Sequence, residues 1–129
     1  MPPAILAGFD VDQAVERMLG QPTLWWEALG LFVQHFANWE AGWQAAQGDP
    51  QAERRCVHAL RSGAANVGAN QLASIAGMLE ELLAKRCVGQ AVAIPASSRT
   101  QLKECFRKIW QAAAEARHFV PSAKEENKL

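Results

Sequence analysis

Apolar residues recur along this chain at i, i+3, i+4 and i+7, the spacing of amphipathic helices, and no stretch shows the alternation of a strand. Asp10 is a candidate cap for a short first helix, which Gly20 then ends. Pro22 suits the first turn of a long second helix that continues to Gly48. The apolar face of this second helix contains Trp25, Ala28, Leu29, Phe32, Phe36, Trp39 and Trp43.

Three further helices are predicted downstream. Asp49 and Pro50 form an N-cap and a first-turn proline for the third helix, which ends near Gly68. The fourth helix covers residues 69–87. After an irregular connection, Ser98 is a candidate cap for a fifth helix that is expected to run until Pro121.

Four long amphipathic helices with short connections predict an all-α fold, an antiparallel up-down-up-down four-helix bundle. The short first helix is predicted to act as a lid over one end. Residues 1–8 are expected to be a linker or leader, residues 9–120 one bundle domain, and residues 121–129 a polar tail.

Composition narrows the possible functions. The 13 Lys and Arg balance the 13 Asp and Glu, which disfavours a nucleic-acid partner. The three cysteines, Cys56, Cys87 and Cys105, are odd in number and match no zinc spacing. No signal peptide and no membrane-spanning run are evident, so we expect reduced thiols in the cytoplasm. A soluble domain cut from a membrane receptor would have the same composition.

The segment "RRCVHALRSGAANVG", residues 54–68, places a histidine among arginines and small residues. On a helical wheel that advances ~100° per residue, with His58 placed at 0°, Cys56 and Leu60 lie at roughly ±160°, on the opposite side of the helix. These two residues are the predicted core positions. His58 therefore points outward. Its side of the helix contains Arg54, Arg55, Arg61, Ser62 and Ala65.

The candidate chemistry of His58 is nucleophilic. A metal site is disfavoured, because Cys56 points to another face and no i, i+4 ligand completes a site. A neutral imidazole is a good nucleophile near neutral pH, and the arginines would favour that form and pair with an attached phosphoryl group. The alternative is a solvated basic face beside a tight helix crossing.

Hairpin geometry adds a candidate partner for the ring. If the third and fourth helices turn near residues 68–69, position 58 faces position 79 or 80, so Glu80 is placed to accept from one ring nitrogen. Such a bond would fix the tautomer and leave the other nitrogen free to attack. The alternative is an ordinary surface glutamate beside Glu81.

Residues 58–80, "HALRSGAANVGANQLASIAGMLE", resemble the signature of histidine-containing phosphotransfer domains. That signature runs His-x-Leu-Lys-Gly, small residues, Gly, Leu and Leu-Glu, and the resemblance extends over residues 9–83. The resemblance implies that His58 accepts a phosphoryl group from a receiver-domain aspartate and passes it to another receiver. It also implies that Mg²⁺ is bound by the receiver domain. Arg61 stands in place of the family lysine as the phosphate-neutralising group, and Ser62 in place of the glycine.

Receiver docking needs a surface around the histidine. Val11, Val15 and Met18 on the first helix are candidate apolar contacts, and an equal alternative is that they cover the bundle core. The candidate polar and small contacts are Arg54, Arg55, Ser62 and Ala65. We expect a monomer that binds receivers and makes no direct membrane contact.

These residues are compatible with three functions. The leading hypothesis is a phosphorelay carrier, not an autonomous kinase, because the sequence has no Gly-rich nucleotide loop. The second is a helical module that binds receivers without carrying phosphate. The third, a kinase dimerisation domain, is disfavoured because Ala59 stands where His-Glu-x-x-x-Pro has glutamate. The leader suggests a domain of a larger chain, such as the C-terminal domain of a membrane-bound hybrid sensor kinase.

Overall fold

The computed structural model describes residues 2–119, which form helices and no β-strand. The predicted all-α fold is therefore confirmed. The helices are α1 (Val11–Arg17), α2 (Pro22–His35), α3 (Trp39–Ala46), α4 (Pro50–Asn66), α5 (Asn70–Cys87) and α6 (Ala96–Ala116).

The helices pack as a four-membered bundle in which α2 and α3 together form one member. The hairpin of α4 and α5 makes the most extensive helix contact, and α6 packs against α5 and α2. Helix α3 packs against α4, and the short α1 packs against α2. A single apolar core lies between these helices, and it holds the buried faces of all six.

The predicted continuous second helix is wrong, because α2 ends at His35 and α3 begins at Trp39. Phe36 and Trp39 are both buried on either side of this break. The i, i+3 spacing of these two residues survives the turn, so the apolar periodicity gave no sign of it. Both sides of the break contact α4, since Phe36 lies against Gly63 and Trp39 donates to the carbonyl of Cys56. Trp39 also packs on the ring of Phe106 of α6.

The predicted ends of the last helix also need correction. Helix α6 begins at Ala96 after Pro95, so Ser98 lies inside the first turn and is not the cap. Pro95 occupies the N-cap position instead, and its fixed φ suits the extended backbone directly before the helix. The helix ends at Ala116. Pro121 and the predicted tail of residues 121–129 lie outside the described residues.

The leader is attached to the bundle near α1. Leu6 and Phe9 pack against the core, and the backbone N–H of Asp10 donates to the carbonyl of Gly68 at 2.8 Å. Gly68 lies in the turn between α4 and α5, so this bond ties the start of α1 to the hairpin. The Asp10 side chain caps α1 by accepting from the backbone N–H of Gln13 at 3.1 Å.

A buried polar cluster joins α3, α4 and α6. Glu53 is fully buried and accepts from Trp43 Nε1 at 3.0 Å and from two nitrogens of Arg99, each at 2.8 Å. Trp39 Nε1 donates to the carbonyl of Cys56 at 2.8 Å. A buried carboxylate is tolerated only when it is paired and hydrogen-bonded, and Glu53 meets that condition. The cluster fixes α4 in place within two turns of His58.

Substituting Gly68 by alanine should destabilise the fold strongly. Gly68 has φ +88°, and a Cβ there would lie 2.7 Å from the Asp10 carbonyl oxygen. We expect a loss of about 2–4 kcal/mol in the free energy of unfolding, of which about 1–2 kcal/mol is the left-handed backbone and the rest the contact. Gly20→Ala is the matched control, because Gly20 has φ +70° but nothing within 4 Å. Equal losses for the two variants in urea denaturation would show that the Asp10 contact is unimportant.

Candidate functional site

His58 lies in the middle of α4 and points into solvent, with 61% of its side chain exposed. Helix α4 begins with the Asp49 carboxylate capping the backbone N–H groups of Gln51 and Ala52. The buried face of α4 consists of Glu53, Val57, Leu60 and Ala64. This face lies opposite the histidine, so the spacing of the core residues accounts for its exposure.

The wheel correctly placed Leu60 in the core but assigned too deep a position to Cys56. Val57 is fully buried, whereas Cys56 is only half-buried at the margin of the core. The centre of the buried face is shifted toward α5, because the α4–α5 contact is the most extensive in the bundle. Burial raises the pKa of the Cys56 thiol, so this cysteine is a weakly acidic packing residue.

The carboxylate of Glu80 joins two side chains of α4. Its Oε2 lies 2.7 Å from Nδ1 of His58, and its Oε1 accepts from Nη1 of Arg61 at 2.9 Å. Only 8% of the Glu80 side chain is exposed. The hydrogen bond expected from the hairpin register is thus present, and the same carboxylate also holds Arg61.

The surroundings of Glu80 favour its ionised form. Burial raises the pKa of Glu80, but the hydrogen bonds from Arg61 and His58 lower it further than burial raises it, so the net shift is downward. Glu80 is therefore ionised at neutral pH and accepts from N–H groups. Because an ionised carboxylate can only accept, Nδ1 of His58 is the donor of this bond, and in the neutral ring the lone pair is then on Nε2.

Arg61 is half-exposed, with 52% of its side chain accessible. Its stem passes over Gly77 of α5, where an added Cβ would lie 3.4 Å from Nε. An added Cβ would make only ordinary van der Waals contact with Arg61, so the Arg61 side chain lies against the backbone of α5 at this point. One nitrogen is engaged there, and a guanidinium has five N–H donors in total.

The other residues of α4 that were predicted to contact a receiver differ in their exposure. Arg54, Arg55 and Ser62 are exposed, and Ala65 is half-buried. The carbonyl of Ala65 accepts from Nη2 of Arg17 at 2.6 Å. Arg17 was not among the predicted residues, since no local pattern indicates that its side chain reaches the end of α4.

The predicted apolar contacts on α1 divide into two groups. Val11 is buried, so it covers the core as in the alternative interpretation and cannot be a docking residue. Val15 and Met18 are half-buried against the core. Two residues that were not predicted, Leu19 and Leu31, are 82% and 65% exposed and offer more apolar surface.

No group of three or more His, Cys, Asp or Glu side chains that could hold a metal ion occurs within residues 2–119. Over the same residues, no helix is long and apolar enough to cross a membrane.

Comparison with known proteins agrees with this geometry. The family model described as "Hpt domain" matches residues 23–112, well over half of the chain, and the match includes the complete α4–α5 hairpin with His58, Arg61 and Glu80. No curated protein and no solved structure matches the chain. On the family match and the all-helical bundle, the chain belongs to the Hpt family of histidine-containing phosphotransfer domains.

Proposed function

We propose that His58 is the phosphoryl carrier of this domain, accepting the group from an aspartyl phosphate of one receiver domain and passing it to another. Hpt domains in general act in phosphorelays and interact with receivers. The observation that supports the assignment to His58 is the bond between its Nδ1 and Glu80, with the ring otherwise exposed.

The transfer is a displacement at phosphorus. The Nε2 lone pair of His58 attacks the phosphorus, an N–P bond forms, and the bond to the aspartyl oxygen breaks, with the electron pair leaving on the receiver carboxylate. The proton stays on Nδ1, so the ring becomes cationic and faces the anionic Glu80 at 2.7 Å. In the second transfer an aspartate of the next receiver attacks, and the N–P electron pair returns to Nε2. The receiver supplies Mg²⁺ for both steps.

Arg61 neutralises the phosphoryl oxygens in this proposal. Its guanidinium lies one helical turn from His58 and is anchored through one nitrogen on Glu80, which leaves other N–H donors for phosphate. Because Glu80 holds both side chains, it positions the nucleophile and the cation relative to each other. It does not itself contact the reacting atoms.

Receivers would approach over the exposed side of α4 and the adjoining α1–α2 surface. That surface contains Arg54, Arg55 and Ser62 together with the exposed parts of Val15 and Met18. Leu19 and Leu31 are further exposed apolar residues, after the end of α1 and on α2.

A second candidate is a module that binds receivers without carrying phosphate. Ser62 favours it, because its exposed hydroxymethyl group stands on the His58 face where the family signature has glycine.

The carrier proposal predicts that a phosphorylated receiver transfers acid-labile label to the wild-type protein. His58→Gln should abolish this label, because glutamine has no nucleophilic nitrogen of comparable strength. His35→Gln, at an exposed histidine of α2, is the matched control and should be labelled like wild type. Binding of receivers without any label on the wild type would instead favour the second candidate.

Arg61→Ala should slow label transfer by roughly tenfold or more, the scale of losing one charged donor at a transferring group. Its cost in unfolding free energy should be about 1–3 kcal/mol, because the variant removes one donor from the almost fully buried carboxylate of Glu80. Arg61→Lys, which restores the family residue, should recover most of the rate. Single-turnover kinetics with matched urea denaturation measures both quantities. A lysine variant as slow as the alanine variant would exclude a role for the charge.

The lowered pKa of Glu80 predicts a pH-dependent contribution to stability. Its ordinary value is 4.5, and the folded value is lower, so the stabilisation is fully present above pH 4.5 and is lost as pH falls through the folded pKa. The difference in unfolding free energy between wild type and Glu80→Gln should therefore shrink between pH 5 and the acid limit. Glu40→Gln serves for comparison, since Arg107 also lowers the Glu40 pKa. A difference independent of pH would contradict the ionised Glu80.

A further inference from the structure

A groove of about 410 Å³ lies on the outer face of α5, directly beside the His58 site. We call it the α5 groove. Three of its lining residues are small, namely Ala73, Gly77 and Ala84, and Met78 and Glu81 also line it. Arg61 and Glu80, the two residues joined to the His58 site, belong to the same lining. The small residues recur on one face of α5, which leaves room for the groove.

Two larger lining side chains, Met78 and Glu81, are exposed and are suited to contact a partner. Met78 is 56% exposed, and such a large flexible apolar side chain adapts well to a partner. Glu81 is exposed and forms no ion pair within the described part of the chain. The α5 groove thus combines an exposed apolar side chain with an exposed carboxylate that forms no ion pair in the described residues.

The α5 groove lies on the opposite side of His58 from the α1–α2 surface. Around α4, Arg61 lies about 60° from His58 toward α5, whereas Ser62 lies about 40° the other way. Continuing past Ser62 leads to Gly63, where Phe36 of α2 packs. His58 is therefore flanked by two distinct exposed surfaces.

A partner that reaches Nε2 of His58 must also come close to the α5 groove. Neighbouring helices lie 8–10 Å apart, whereas a standard interface covers about 800 Å² of each partner. The groove is continuous with the proposed transfer site, because Arg61 and Glu80 belong to both. A receiver centred on His58 thus has room to cover α5 as well as α1 and α2.

We propose that the α5 groove is a second receiver-docking element, in which the receiver packs an apolar side chain against Met78 over Gly77 and places a basic side chain opposite Glu81. The identity of the partner rests on the proposed function. The groove would let receivers be distinguished by contacts that the α1–α2 surface does not make.

The test uses a receiver domain that either transfers label to the wild-type protein or binds it. Isothermal titration then measures the Kd of this receiver for the wild type and for each variant. Met78→Gln keeps the length and the helix preference of the side chain but removes its apolar surface. It should weaken binding roughly fivefold, the effect of losing one apolar anchor at an interface. Glu81→Gln should weaken binding about twofold or more, with a reduced dependence on salt.

Val88→Gln is the matched control, because Val88 is an exposed apolar residue at the end of α5, away from the groove. A Kd for Met78→Gln within twofold of wild type, or an equal loss for Val88→Gln, would overturn the proposal. If the wild type binds a receiver but accepts no phosphoryl label from it, the carrier function of His58 is refuted. The comparison of Kd values then still tests whether the α5 groove contacts the receiver. If no receiver of the source organism binds, both proposals are refuted.

Discussion

The site depends on one carboxylate. Glu80 is almost fully buried between α4 and α5, and its two oxygens hold His58 and Arg61 at 2.7 and 2.9 Å. A buried carboxylate without partners would be costly, so the two bonds stabilise the hairpin while they orient the ring and the guanidinium. Local stability and the geometry that the proposed transfer requires thus come from the same contacts.

The rest of the bundle keeps that hairpin rigid. The indole of Trp39 and the cluster around Glu53 hold the first half of α4, while the bond from Asp10 to Gly68 holds the turn beyond its end. His58 lies between these two anchored regions and has no side-chain partner except Glu80 in the described residues. A displacement at phosphorus needs correct positioning more than it needs additional catalytic groups, and a rigid helix can supply it.

Much of the site could be predicted from the sequence because it depends on local periodicity. The wheel gives the outward direction of His58, and the register of a tight hairpin gives Glu80. The interruption between α2 and α3 could not be predicted, because Phe36 and Trp39 keep helical spacing across it. Arg17 reaches Ala65 only through the packing of α1 on the bundle, which no local pattern records.

Glu53 was missed for a different reason, since a charged residue is ordinarily assigned to the surface. Its burial against Arg99 and Trp43 has a consequence for the alignment of the helices. Apolar contacts between helices tolerate sliding, but moving α6 by one turn would strip the carboxylate of its guanidinium at a cost of about 3–5 kcal/mol. We infer that the pair favours the axial alignment of α6 against α4 that the structure has, because a shift by one turn would separate its two charges.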